Sequence, residues 1–179
     1  MNLLLIAAIV LALSNQASHY TKSADAIYAP LWLYRGAWQV TRKSAEKGAK
    51  PEQLMNRCAL LGKYFACQQT VNGSERGLVI FIPTEKSRHY YTQTITPEGR
   101  ATGRADLEIS GNRWTYLSRW PQGNGKIIYY RTTKVFTGKN HIYFEQAESA
   151  DGVQWTVKDS GDEIRAAAAG RHGDIELGN

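Results

Sequence analysis

The feature that most constrains this chain is a repeated beat: short apolar or alternating segments, each ended by a turn sequence. Residues 101–109 show it most sharply. Ala105, Leu107 and Ile109 fall on one side of an extended chain, and Arg104, Asp106 and Glu108 on the other. That is a strand with one dry face and one wet face. The same beat predicts strands over 36–43, 64–71, 77–82, 89–96, 113–120, 126–136, 141–146 and 153–158. Asn72-Gly73, Pro97-Glu98-Gly99, Ser110-Gly111-Asn112 and Gly138-Lys139-Asn140 punctuate them. Ser160-Gly161 reads as one more turn before Ile164 and Arg165, with Asp159, Asp162 and Glu163 as an acidic turn around it. Residues 53–61 fit either a helix or a strand, and 166–169 fit a last helical turn.

No long helical pattern interrupts this series. The expected fold is therefore all-β: an antiparallel up-and-down β-barrel of about 8–10 strands. Closure removes the edge strands that would invite aggregation. A sandwich of the same strands is the competing arrangement.

The first residues follow a different rule. Leu3 to Leu13 are apolar without interruption, and Ser14, Asn15, Gln16 and Ala17 follow. Eleven residues make about 16 Å of helix, short of a bilayer core of about 30 Å. The length suits the apolar region of a signal peptide. The expected organisation is a signal peptide over 1–17, an N-terminal lead-in over 18–35 that is polar as far as Pro30 and brings aromatic anchors over Leu31 to Tyr34, one barrel domain over 36–169 and a C-terminal tail over 170–179. The expected location is exported, periplasmic or secreted.

Export favours disulfides. Cys58 and Cys67 are the two cysteines, separated by eight residues, which suits a disulfide closing a hairpin. Their spacing is not that of a two-residue redox motif, and it makes a poor metal site.

Within this strand order, Gly36-Ala37-Trp38 opens the first strand and Arg165 follows the last. This pairing resembles the lipocalins and the wider calycin superfamily. The resemblance implies that Gly36, Trp38 and Arg165 close one barrel end, with the guanidinium across the indole. Such a cation–π contact contributes about 0.5–2 kcal/mol. The stretches Asn56-Arg57-Cys58, Phe65-Ala66-Cys67-Gln68-Gln69-Thr70-Val71-Asn72-Gly73, Arg131-Thr132-Thr133-Lys134-Val135-Phe136 and Glu148-Ser149-Ala150-Asp151-Gly152 look like those of an uncharacterised, exported, lipocalin-like bacterial family. Such a family implies a fold more strongly than a ligand.

A small barrel can enclose one small ligand. Tyr91, Trp114, Tyr116, Tyr129 and Tyr143 lie in strands that can converge, and aromatic rings with polar tips suit a small amphipathic guest. The competing role for each ring is to fill or sheath the barrel. Arg131 and Arg104 hold a carboxylate if they point inward and are surface charges if they point outward. Residues 126–136 are apolar or aromatic on both sides, so the inward set is either Ile127/Tyr129/Arg131 or Ile128/Tyr130/Thr132.

The expected function is an exported binding or carrier protein for a small hydrophobic or amphipathic ligand. One alternative is a structural or interaction barrel with a filled interior, for which an exposed aromatic patch near Trp120 would speak. Another is an enzyme built in a barrel cavity. The sequence holds no nucleophile elbow and no phosphate loop, and it names no catalytic residue. Only His89 and His141 sit where a barrel could use an axial ligand, so no metal and no cofactor is expected. The net charge of +6 is spread along the chain. It suggests association with envelope polymers or membrane headgroups, not with nucleic acid.

Overall fold

The computed structural model describes residues 26–123 and 125–167. The expected signal peptide, residues 18–25 of the lead-in, residues 168 and 169 and the tail from 170 lie outside the described residues.

Ten strands form one closed barrel, each paired antiparallel to its neighbours. They are β1 (Gly36–Arg42), β2 (Glu52–Leu61), β3 (Tyr64–Val71), β4 (Ser74–Pro83), β5 (His89–Ile95), β6 (Ala101–Ser110), β7 (Arg113–Pro121), β8 (Ile127–Thr137), β9 (His141–Ser149) and β10 (Thr156–Arg165). They run round the barrel in chain order, and β10 closes on β1 from Trp38–Arg165 to Arg42–Gly161. The barrel is thus the up-and-down arrangement, not a sandwich. The segment 53–61 resolves as strand β2. Asn72 and Gly73 both have positive φ, 51° and 80°, as the tight hairpin turn between β3 and β4 requires.

One expectation fails at the end of the chain. Ser160-Gly161 is not a turn, and Val153 to Lys158 and Ile164-Arg165 are not separate strands. Residues 156–165 make one strand, bulged between Val157 and Asp159. Gly161 serves close approach there: a Cβ would lie 2.0 Å from the Thr41 carbonyl and 2.9 Å from the Phe144 ring. The acidic turn is replaced by alternation along β10. Asp159 meets Arg42 and Glu163 meets Lys134, while Asp162 meets His141 on the other face.

The lead-in is also more than a lead-in. Residues 26–34 enter one end of the barrel, ending in a 3-10 helix, Ala29–Tyr34. Tyr28, Leu31 and Tyr34 are buried there with Trp38, Phe65, Phe81, Tyr90, Leu107, Trp114 and Ile142. Tyr28 stacks near Phe65 and Tyr90, Trp32 meets Phe65 edge-on, and Tyr34 packs against Trp38 and Trp114. Offset and edge-on pairs of this kind are favourable beyond their buried area. Cys58 and Cys67 face each other across β2 and β3 and form a disulfide within this core. Such a bond is consistent with an oxidising environment.

Candidate functional site

The barrel has a filled half and a polar half. Trp38 stands at the filled end. Arg165 lies 4.1 Å above its ring and donates to the carbonyls of Leu33, Arg35 and Lys139. Gly36 has no side chain to obstruct this: a Cβ there would sit 2.7 Å from the Arg165 guanidinium.

The end of the plug is tied to the wall from several sides. The Tyr34 carbonyl accepts from Trp38 Nε1 at 3.1 Å and from Asn56 Nδ2 at 3.2 Å. Its hydroxyl accepts from Lys134 Nζ at 2.7 Å, and Lys134 also donates to Glu163 Oε1. Lys134 and Glu163 are both buried. Burial opposes the ammonium charge, but Tyr34 and Glu163 more than offset it, so the Lys134 pKa is raised. Burial likewise pushes the Tyr34 phenol up, against the pull of Lys134. The lysine is therefore a fixed cation and the tyrosine a neutral phenol.

Beyond this knot lie two chambers of about 250 and 260 Å³, with Tyr34, Gln69, Thr132 and Lys134 lining both. The first reaches from buried Glu163, past Gln146, to Arg42 and Glu52, whose side chains are 34% and 40% exposed. The second is lined by Tyr116, Tyr130, Thr92 and Ser118. Glu163 Oε2 has no hydrogen-bond partner among the described residues. Polar groups of this kind call for water or a polar guest.

The aromatic residues expected to converge are split between two faces. Trp114 and Tyr116 point inward. Trp114 is core, 4.7 Å from the Phe136 ring centroid, and Tyr116 lines the second chamber. Burial holds the Tyr116 phenol well above its usual range. Tyr91, Tyr129, Arg131 and Tyr143 instead lie on the outer face. The reason is parity: β8 turns Tyr130, Thr132, Lys134 and Phe136 inward, so Tyr129 and Arg131 point out. Tyr143 alternates with inward Ile142 and Phe144, and its ring carries the Lys43 ammonium at 5.5 Å. Arg104 also points out. His89 and His141 flank inward Tyr90 and Ile142, and their partners are Glu108 and Asp162, so neither serves a barrel interior.

On the outside, Tyr91, Asp106, Leu117 and Arg131 form one row across β5 to β8. The row borders a groove of about 740 Å³, lined also by Arg104, Arg119, Tyr129, Gly152 and Trp155. The Arg104 guanidinium lies 4.2 Å from the Tyr91 ring, and that of Arg131 lies 4.4 Å from Trp155. The turn after β9 builds one wall. Asp151 Oδ1 accepts from the backbone of Val153 and Gln154 and from Ser149 Oγ, which fixes the turn that carries Trp155.

Sequence reading missed Lys134, Glu163 and Tyr34. A single Lys in a strand resembles a surface charge. The available clue was parity with Tyr130 and Thr132, both in the second of the two inward sets of β8. Compared with protein-family models the chain matches none, and compared with curated proteins it matches none either.

Proposed function

We propose that this chain is a divergent, exported lipocalin-like barrel that works as an interaction scaffold and not as a carrier of lipophilic ligands. The observation that carries this reading is the largely occupied interior. One half is filled by an aromatic core and its own N-terminal plug, and the other holds two small chambers that share Gln69 and Lys134, with Glu163 and Arg42 on the first and hydroxyls beside Val79 and Phe81 on the second. A rigid, disulfide-locked barrel holds its outer surface in fixed geometry. Tyr91 and Leu117 are 40% and 42% exposed on that surface, and large apolar side chains standing proud of a folded wall favour partner contacts.

The lipocalin-like descent rests on the Gly36-Ala37-Trp38 opening and on Arg165 over the indole. Export rests on the apolar leader and the disulfide. The test is native mass spectrometry of the protein collected from the extracytoplasmic fraction of an expressing cell. The expected spectrum is the bare polypeptide mass after signal removal, with the disulfide intact. A stoichiometric lipophilic adduct would contradict the scaffold reading, and an uncleaved cytoplasmic chain would contradict export.

A further inference from the structure

The outer groove has a composition that a solvated barrel wall does not need. Its cations are Arg104 and Arg119, with Arg131 at its border, and its anion is Asp106. Neither Arg104 nor Arg119 has an ion-pair partner among the described residues. Arg131 is 3.8 Å from Glu145 and is otherwise engaged by Trp155. Arg104 and Arg119 on neighbouring strands with one carboxylate, Asp106, in the groove leave an excess of positive charge, which is unfavourable in isolation because like charges across strands repel. Between them sits exposed Leu117, flanked by Tyr91 and Tyr129.

We propose that this groove docks an acidic, partly apolar peptide segment of a partner protein. Its carboxylates would meet Arg104 and Arg119, and an apolar side chain would cover Leu117. This rests on the scaffold reading above and names the partner that the scaffold would serve. Three properties favour a peptide over a glycan or a membrane. All the groove cations are arginines, whose planar forks match carboxylates in two-point contacts. Arg104 is stacked on Tyr91, so the fork is held in place before binding and little side-chain freedom is lost. The surface is a walled groove with an apolar floor, whereas a membrane is met by a broad basic face. Arginine and aromatic anchors around an apolar centre are also the side chains that dominate protein interfaces.

The experiment is selection of a random twelve-residue peptide library on the disulfide-intact protein, counter-selected on R104A/L117A/R119A. These three positions lie on the outer wall, away from the core, and matched thermal unfolding of the variant establishes that it folds. The expected winners carry Asp or Glu beside Leu, Ile, Phe or Tyr. A labelled winner should bind the wild-type protein at least tenfold more tightly than R104A/R119A, with affinity falling as salt rises. Enrichment of basic or uncharged peptides, or equal binding by the variant, would overturn the proposal. So would tighter groove-dependent binding of heparin or of phosphatidylglycerol vesicles than of any peptide. A dimer in sedimentation that L117R dissociates would assign the groove to a second copy and also overturn it. None of these outcomes depends on whether the interior takes a lipophile, so the two readings fail separately.

Discussion

Lys134 Nζ donates to the Tyr34 hydroxyl at 2.7 Å, joining residues a hundred positions apart. The contact ties the N-terminal plug to the far wall of the barrel. It is charge-assisted, and the same ammonium is bound to Glu163.

A buried ion pair and its components respond differently to mutation. Lys134→Met should cost about 3–5 kcal/mol in urea unfolding, because the buried Glu163 carboxyl is left without its partner. The double variant Lys134→Met/Glu163→Leu should be at least about 2 kcal/mol more stable than the single one. A double variant as unstable as the single one would show that the pair is not the unit of stability.

Arg165 makes three hydrogen bonds with one fork while covering Trp38. Arg165→Lys keeps the charge but not the fork and should cost about 1–3 kcal/mol. Trp38→Ala, in the fully buried position below, should cost about 3–5 kcal/mol. Both are read from chemical denaturation midpoints. Near-neutral Arg165→Lys would mean that the three carbonyls are equally well served by water.

The disulfide closes a short loop, so its contribution is bounded. Replacing Cys58 and Cys67 by Ala should lower stability by about 2–3 kcal/mol in the chain-entropy view. The fold should survive, because the ladder from Leu54–Val71 to Leu61–Tyr64 remains. Complete loss of structure on reduction would show the bond to be required for folding itself.

Two pH limits follow from the charged pairs. Burial pushes the Asp159 carboxyl up, but its bonds to Arg42, Ser44 and the Ser160 backbone outweigh this, so its pKa is lowered. That stabilisation is present above the unfolded value of about 3.9 and lost as pH falls through the lower folded value. At the other limit the Lys134 pKa is raised. Its contribution is complete below about 10.5 and is lost as pH rises through the folded value. Urea titrations should show Asp159→Asn flattening the acid limb and Lys134→Met flattening the alkaline limb. Unchanged limbs would assign the pH dependence to other groups.

Legibility followed burial contrast. Strand β6 alternates one dry and one wet face, and its partners and span follow from the residues alone. Strand β8 is apolar on both sides, because Tyr129 and Arg131 help to build the outer groove while Tyr130 and Thr132 face the chambers. No pattern in one strand can choose between those faces. Gly161 read as a turn because its role is contact with Thr41 and Phe144, which are far away in sequence. Tyr28 looked like part of a polar lead-in, and Leu31 to Tyr34 read as anchors with no stated place, because a few apolar residues among polar ones show no period. Only the closed barrel gives them a place to be buried.

The central claim is that the barrel interior, filled at one end by its own plug and divided into small polar-lined chambers beyond it, takes no lipophile. The direct measurement is a titration of the disulfide-intact protein with palmitate and with N-phenyl-1-naphthylamine, followed by intrinsic Trp and probe fluorescence. A filled barrel predicts no saturable change up to about 50 μM ligand, a range in which even micromolar affinity would register. Saturable one-to-one binding that shifts Trp emission and is abolished by a bulky substitution at inward Thr132 would contradict it.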